Sequence, residues 1–251
     1  MSEHRRFEIS GRARLIVGVP AGRLDLYRSE EVVDVEVDGN TDGIEIARSG
    51  DTVSVTSTKT SGFVFGSTRL RIGVPYGCDF ELSGASLDVH SDVALGHVRG
   101  RSASGDLSIR NAESLSIRSA SGDIRFDAVD GDVDISMASG DVFGQSVRGA
   151  LTASVASGDV RVEAVDGDVS AKSASGDIWI SRTTAREVVA KSMSGTIAIG
   201  VAPRTRVNLD LSTLSGQIHR PSGTADGQEP VRTMDLRIRT VSGDIRLSRA
   251  D

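Results

Sequence analysis

Seven glycines, Gly122, Gly131, Gly140, Gly149, Gly158, Gly167 and Gly176, follow one another at intervals of nine residues. A fixed period of this kind marks a repeat architecture, in which each unit buries its apolar face on its neighbours. Counting each glycine as zero, apolar or small residues fall two, four and seven places later. Examples are Ile124, Phe126 and Val129; Val133, Ile135 and Ala138; Val160, Val162 and Val165; and Val169, Ala171 and Ala174. Alternation at the second and fourth places is the period of a short strand with one buried face, and the seventh place is expected to be buried after a bend.

Neighbouring nonads differ. One type carries SASGD (residues 102–106, 119–123, 137–141 in the variant MASGD, 155–159 as VASGD, and 173–177), and the other carries VDGDV at 129–133 and 165–169 or VRGAL at 147–151. The true repeat is therefore 18 residues with two short strands. Stacking such units at the strand spacing of about 4.8 Å predicts an all-β fold, a parallel β-solenoid (β-helix) flattened to two principal sheets. Right-handed winding is the expectation for parallel crossovers. The pattern extends outward with Glu113 in a glycine slot one residue early and Arg186 one residue late, and continues at Gly195, Met234 and Gly243. Extra residues near 203–214 and at 220–230 read as surface loops.

Residues 1–83 are strand-like without the strict repeat and are expected to form a β-rich amino-terminal cap continuous with a solenoid at 84–251. Within them LIVGVPAGRLDL (15–26) resembles LRIGVPYGCDFEL (70–82). Repeat folds need such caps because a bare terminal coil is an open sheet edge.

Aromatic residues make up 4% of the chain against 28 glycines, so small and β-branched side chains must fill the core. The net charge of −6 comes without a clustered basic run, which argues against nucleic acid as a partner. Cys78 is the sole cysteine and sits without a sequence-identifiable histidine partner, as expected of a structural thiol. No signal-like apolar run opens the sequence and no stretch of 18 apolar residues occurs, so no membrane span and a cytoplasmic location are expected.

The duplicated VGVPAG and IGVPYG strands, followed by repeated SGDI and SGDV, resemble the bacterial putative-adhesin β-strand repeat family, a domain of unknown function. The resemblance implies a β-helical fold and a surface or scaffold role, and it brings no catalytic residues.

The Gly-Asp columns read first as architecture: glycine for a positive φ or a tight bend, aspartate as an acceptor for turn amides. The alternative is a calcium ladder at Asp123, Asp141, Asp159 and Asp177, although the G-G-x-G-x-D pattern of calcium-binding nonads is absent. Catalysis needs acids singled out within a groove, and here each acid recurs in coil after coil. The histidines are scattered, suggesting no triad, and no cofactor is implied. Three places after each SGD glycine a side chain points outward: Ser108, Arg125, Phe143, Arg161 and Trp179. Arg125, Phe143, Arg161 and Trp179 form the candidate partner-binding face, since aromatics and arginine dominate interface hot spots. The chain reads as a non-enzymatic binding or scaffold module for a protein or glycan. The alternatives are a self-assembling rod, joined through an exposed sheet face or the carboxyl-terminal edge, a carbohydrate-active enzyme, or a calcium-binding repeat protein.

Overall fold

The computed structural model describes residues 3–39, 43–58, 68–220 and 229–250. These residues form strands, turns and bends with no helix, and so no helix long and apolar enough to cross a membrane. The chain divides into two units, Met1–Asp127 and Ala128–Asp251.

The first unit holds β1 (Glu3–Glu8), β2 (Arg14–Gly18), β3 (Ala21–Arg28), β4 (Val32–Asp38), β5 (Ile44–Ser49), β6 (Thr52–Ser57), β7 (Arg69–Val74), β8 (Cys78–Ser104) and β9 (Leu107–Ser119), and the division falls inside β10 (Ile124–Val129). β4 runs antiparallel to β1 and β7, and β5 to β6. β2 runs parallel to β6 and β8, and β3 to β7 and β8. The two similar stretches of sequence cross over in space. Leu15 and Val17 pair with Phe80 and Leu82, while Leu24 and Leu26 pair with Leu70 and Ile72. All eight side chains are buried.

The repeat begins where β8 meets β9. Val89 pairs with Leu107, and past an irregularity between Ser91 and Ala94 the offset shortens so that Val98 pairs with Leu115. That shortening is the structural counterpart of Glu113 arriving one residue early.

The second unit continues with β11 (Val133–Ser139), β12 (Val142–Val147), β13 (Leu151–Ser157), β14 (Val160–Val165), β15 (Val169–Ser175), β16 (Ile178–Thr183), β17 (Glu187–Ser194), β18 (Ile197–Val201), β19 (Thr205–Ser215), β20 (Ile218–His219), β21 (Arg232–Ser242) and β22 (Ile245–Arg249). Parallel pairing joins β11, β13, β15 and β17 into one sheet and β12, β14, β16 and β18 into the other. Val133, Leu151 and Val169 stack in register, as do Val142, Val160 and Ile178. All six are buried, as the period-two reading requires. Val169 then pairs with Val188, the one-residue lengthening expected at Arg186. The fold is a β-solenoid.

Three expectations are corrected. In the nonads led by Gly131 and Gly167, strict alternation runs on through the sixth place, so Met137 and Ser173 face inward while Ala138 and Ala174 are exposed. A bend would have turned the seventh place inward, but β11 and β15 extend past it without one. The segment near 203–214 is no loop: β19 is a strand paired in register with β21, because Val207, Leu209 and Leu211 keep the alternation of an inward face. Of the predicted loop at 220–230, residues 221–228 lie outside the described residues. The third concerns the carboxyl-terminal edge, which is not open: β21 pairs with both β17 and β19, and β22 with both β18 and β20. The last coil in sequence is therefore inserted between two earlier ones, and the outer coil is β19 and β20.

Candidate functional site: the aspartate columns and the outward faces

Within each unit stacked aspartates reach to the next coil. Oδ1 of Asp141 accepts the backbone N–H of Asp159 at 2.8 Å, Oδ1 of Asp159 that of Asp177 at 2.8 Å, and Oδ1 of Asp177 that of Thr196 at 2.7 Å. In the first unit Oδ1 of Asp106 accepts the N–H of Asp123 at 2.8 Å. The other column does the same: Oδ1 of Asp132 takes the N–H of Ala150 at 2.8 Å, and Oδ1 of Asp168 those of Arg186 and Glu187. At a coil corner the chain leaves the sheet ladder and its amides lose ladder acceptors, so a short acidic side chain supplies one.

The second carboxylate oxygen is used where arginine stands two places on. Asp123 pairs with Arg125 at 2.8 Å, Asp159 with Arg161 at 2.6 Å and Asp244 with Arg246 at 3.1 Å. The Gln217 amide first, then Arg246, hold the Asp244 carboxyl below its ordinary range. Among the described residues no group of three or more His, Cys, Asp and Glu side chains is placed to hold a metal ion.

The glycines serve close stacking. Gly158 has φ of 137°, a left-handed value, and a Cβ there would strike the carbonyl oxygen of Gly140. Gly167 lacks the positive φ but is pressed against the backbone of Gly149. Inward hydroxyls add a further tie: Ser173, Ser192 and Thr240 donate to the carbonyls of Gly158, Gly176 and Gly195 in the preceding coil.

Phe143, Arg161 and Trp179 occupy one outward row on β12, β14 and β16. The Arg161 guanidinium lies 5.9 Å from the Phe143 ring centroid while its Nη2 holds Asp159, so it is fixed from two sides. Trp179 is 48% exposed. Beyond it the row passes through Ala198, which is buried, to Arg246. Arg125 belongs to β10 and is described by its pairing with Asp123.

The opposite sheet carries a feature that the sequence reading missed. Register places Ala174, Met193, Val241 and Leu214 side by side on β15, β17, β21 and β19. The last three are 63%, 47% and 82% exposed. The adjacent row is cationic, with Lys172 beside Lys191 and Lys191 beside Arg239. The available signal was Met137 and Val155 at the sixth place, which shows the alternation continuing and turns the seventh place outward.

In the first unit Arg12 bridges Asp79 and Glu113, each at 2.7 Å. Both carboxylates raise the Arg12 pKa. Burial works against the Asp79 anion, but the His97 amide and Arg12 outweigh it and leave its pKa lowered. The adjacent Cys78 thiol is buried and its pKa is pushed up to about 12, so it stays protonated.

Residues 28–248 match a family of domains, Toastrack DUF4097. The chain belongs to the Toastrack DUF4097 family. Solved structures resemble this Toastrack chain along almost its whole length. A putative adhesin from Bacteroides fragilis NCTC 9343 is 16% identical, with 98% of this chain and 97% of that one covered and a TM-score of 0.48. A putative adhesin from Parabacteroides distasonis ATCC 8503 is 11% identical, with coverage of 98% and 97% and a TM-score of 0.47. A protein from the same strain described as a putative lipid binding protein is 15% identical, with coverage of 100% and 97% and a TM-score of 0.46. No curated protein matches the sequence.

Proposed function

We propose that this Toastrack chain is a non-enzymatic binding module that engages a protein or glycan through the Phe143, Arg161 and Trp179 row. The observation that carries the reading is Trp179, a tryptophan 48% exposed on a sheet whose backbone is fixed by neighbours on both sides. A rigid aromatic contributes contact area at little cost in conformational entropy, and arginine beside it supplies a directional donor. The names of the adhesin-like structures accord with a binding role. The recurring aspartates support a non-enzymatic reading, since their Oδ1 atoms are spent on neighbouring amides.

The test is a glycan array and a peptide library probed with the native chain and with Trp179→Ala. A ligand held by this face binds the native chain, loses about tenfold or more in affinity with Trp179→Ala, and is indifferent to Asp134→Ala on the other sheet. A ligand that binds both variants equally contradicts the assignment.

A further inference from the structure

Among the described residues no strand pairs beyond the outer coil. Val207, Leu209 and Leu211 of β19 sit opposite Met234, Leu236 and Ile238 of β21. The inner three are each 0% exposed, whereas Leu209 is 42% exposed and Val207 and Leu211 are partly exposed. Among the described residues β19 pairs with β21 alone. The result is an eleven-residue strand with one edge unpaired and an apolar layer beside it.

The direction of the edge groups follows from one hydrogen bond. The Ser215 carbonyl accepts the N–H of Gly243 at 2.9 Å, toward β21 and β22. Backbone groups alternate sides along a strand, so the odd-numbered residues of β19 address β21. The even-numbered Arg206, Asn208, Asp210 and Ser212 address the open edge. An antiparallel partner must present the same alternation, and a second β19 does so when Asn208 lies opposite Asn208. That register sets Arg206 against Asp210 twice and Val207 against Leu209 twice. Arg206 makes no ion pair among the described residues, and Asp210 meets Arg239 at the loose distance of 3.5 Å.

We propose that this edge takes a second copy of the chain, the two β19 strands pairing antiparallel about a two-fold axis at Asn208. The occupant is identified by the strand's own self-complementarity: charge, apolar residues and amide direction all match under the two-fold. Such an isologous contact closes at two copies and does not propagate. It goes beyond the binding row on the other sheet and leaves that row exposed. It also replaces the carboxyl-terminal edge as the junction, because β22 is internal.

The test uses the full chain in sedimentation equilibrium and in oxidative cross-linking. The native chain is expected to pass with concentration to twice its 26.4 kDa monomer mass. Arg206→Asp opposes like charges at both symmetric positions and is expected to weaken the dimer about 100-fold or more. Mixing Arg206→Asp with Asp210→Arg copies restores a heterodimer. Asn208→Cys places two sulfurs across the axis on Cα atoms about 5.5 Å apart, within disulfide reach, and cross-links the dimer. Ser212→Cys, away from the axis, does not. Far-UV circular dichroism and the melting temperature confirm that each variant is folded. A chain that stays monomeric at 200 μM, forms open-ended polymers, or dimerises with Arg206→Asp unchanged and Asn208→Cys uncross-linked overturns the proposal.

Discussion

The backbone N–H of Asp177 donates to Oδ1 of Asp159 across two stacked coils at 2.8 Å. The same bond recurs one coil back, between the Asp159 amide and Asp141. Residues at corresponding places are thus linked by acid and amide in sequence, and the like charges of the column are offset by hydrogen bonds to N–H groups. A typical intramolecular hydrogen bond contributes about 0.5–1.5 kcal/mol net, so each link adds a modest increment to the stability of the stack.

Ile135 is fully buried in β11 and touches the inward row that passes to Ala153 of β13. Ile135→Asp places an unpaired charge there and is expected to cost more than about 4 kcal/mol, enough to unfold several coils. Ile135→Val costs about 0.5–1.5 kcal/mol. Urea denaturation followed by far-UV circular dichroism separates the two, and a folded Ile135→Asp protein would contradict the inward assignment.

Calcium offers a second check. A cation that binds the folded chain at 100 times its dissociation constant raises stability by about 2.7 kcal/mol. Because Oδ1 of Asp141, Asp159 and Asp177 already accepts an amide, 5 mM calcium is expected to leave the melting temperature within a degree of its value in chelator. A clear rise, abolished by Asp159→Asn, is the opposing result.

Acid dependence follows from Asp79. Its folded pKa lies below the ordinary carboxyl value, through the His97 amide and Arg12 acting against burial. A lowered folded pKa stabilises the native state above the unfolded pKa of about 3.9 and loses that contribution as pH falls toward the folded value. The melting temperature is therefore expected to hold steady from pH 7 to about 5 and to drop below about 4. Asp79→Asn flattens part of that drop. A variant with the native acid profile would show that Asp79 is not a contributor.

Most of the fold was readable from residues 122–176 because glycine spacing and period-two alternation report backbone geometry directly. Ile124, Phe126, Val129, Val160 and Val162 all fall where the pattern puts them. The step from Gly195 to Met234 and Gly243 was readable and is the stacking found, but the place of Gly216 outside Gly243 was not, because the turns of SGT, SGD and SGQ look alike in sequence. Pairing between similar coils is decided by packing, which local pattern does not encode. The cationic and apolar face at Lys191 and Met193 was hidden for a related reason, since a one-place error in alternation exchanges inside for outside. Phe143, Arg161 and Trp179 share the outward row in which the same alternation puts them.

The most direct test compares equilibrium unfolding of the native chain, Asp159→Asn and Asp159→Ala. Asparagine keeps an oxygen for the Asp177 amide and loses the charge toward the half-exposed Arg161, so it is expected to cost under about 1 kcal/mol. Alanine leaves that amide without its acceptor and is expected to cost about 1–3 kcal/mol. Native-like stability of Asp159→Ala would contradict the claim that these aspartates are part of the architecture.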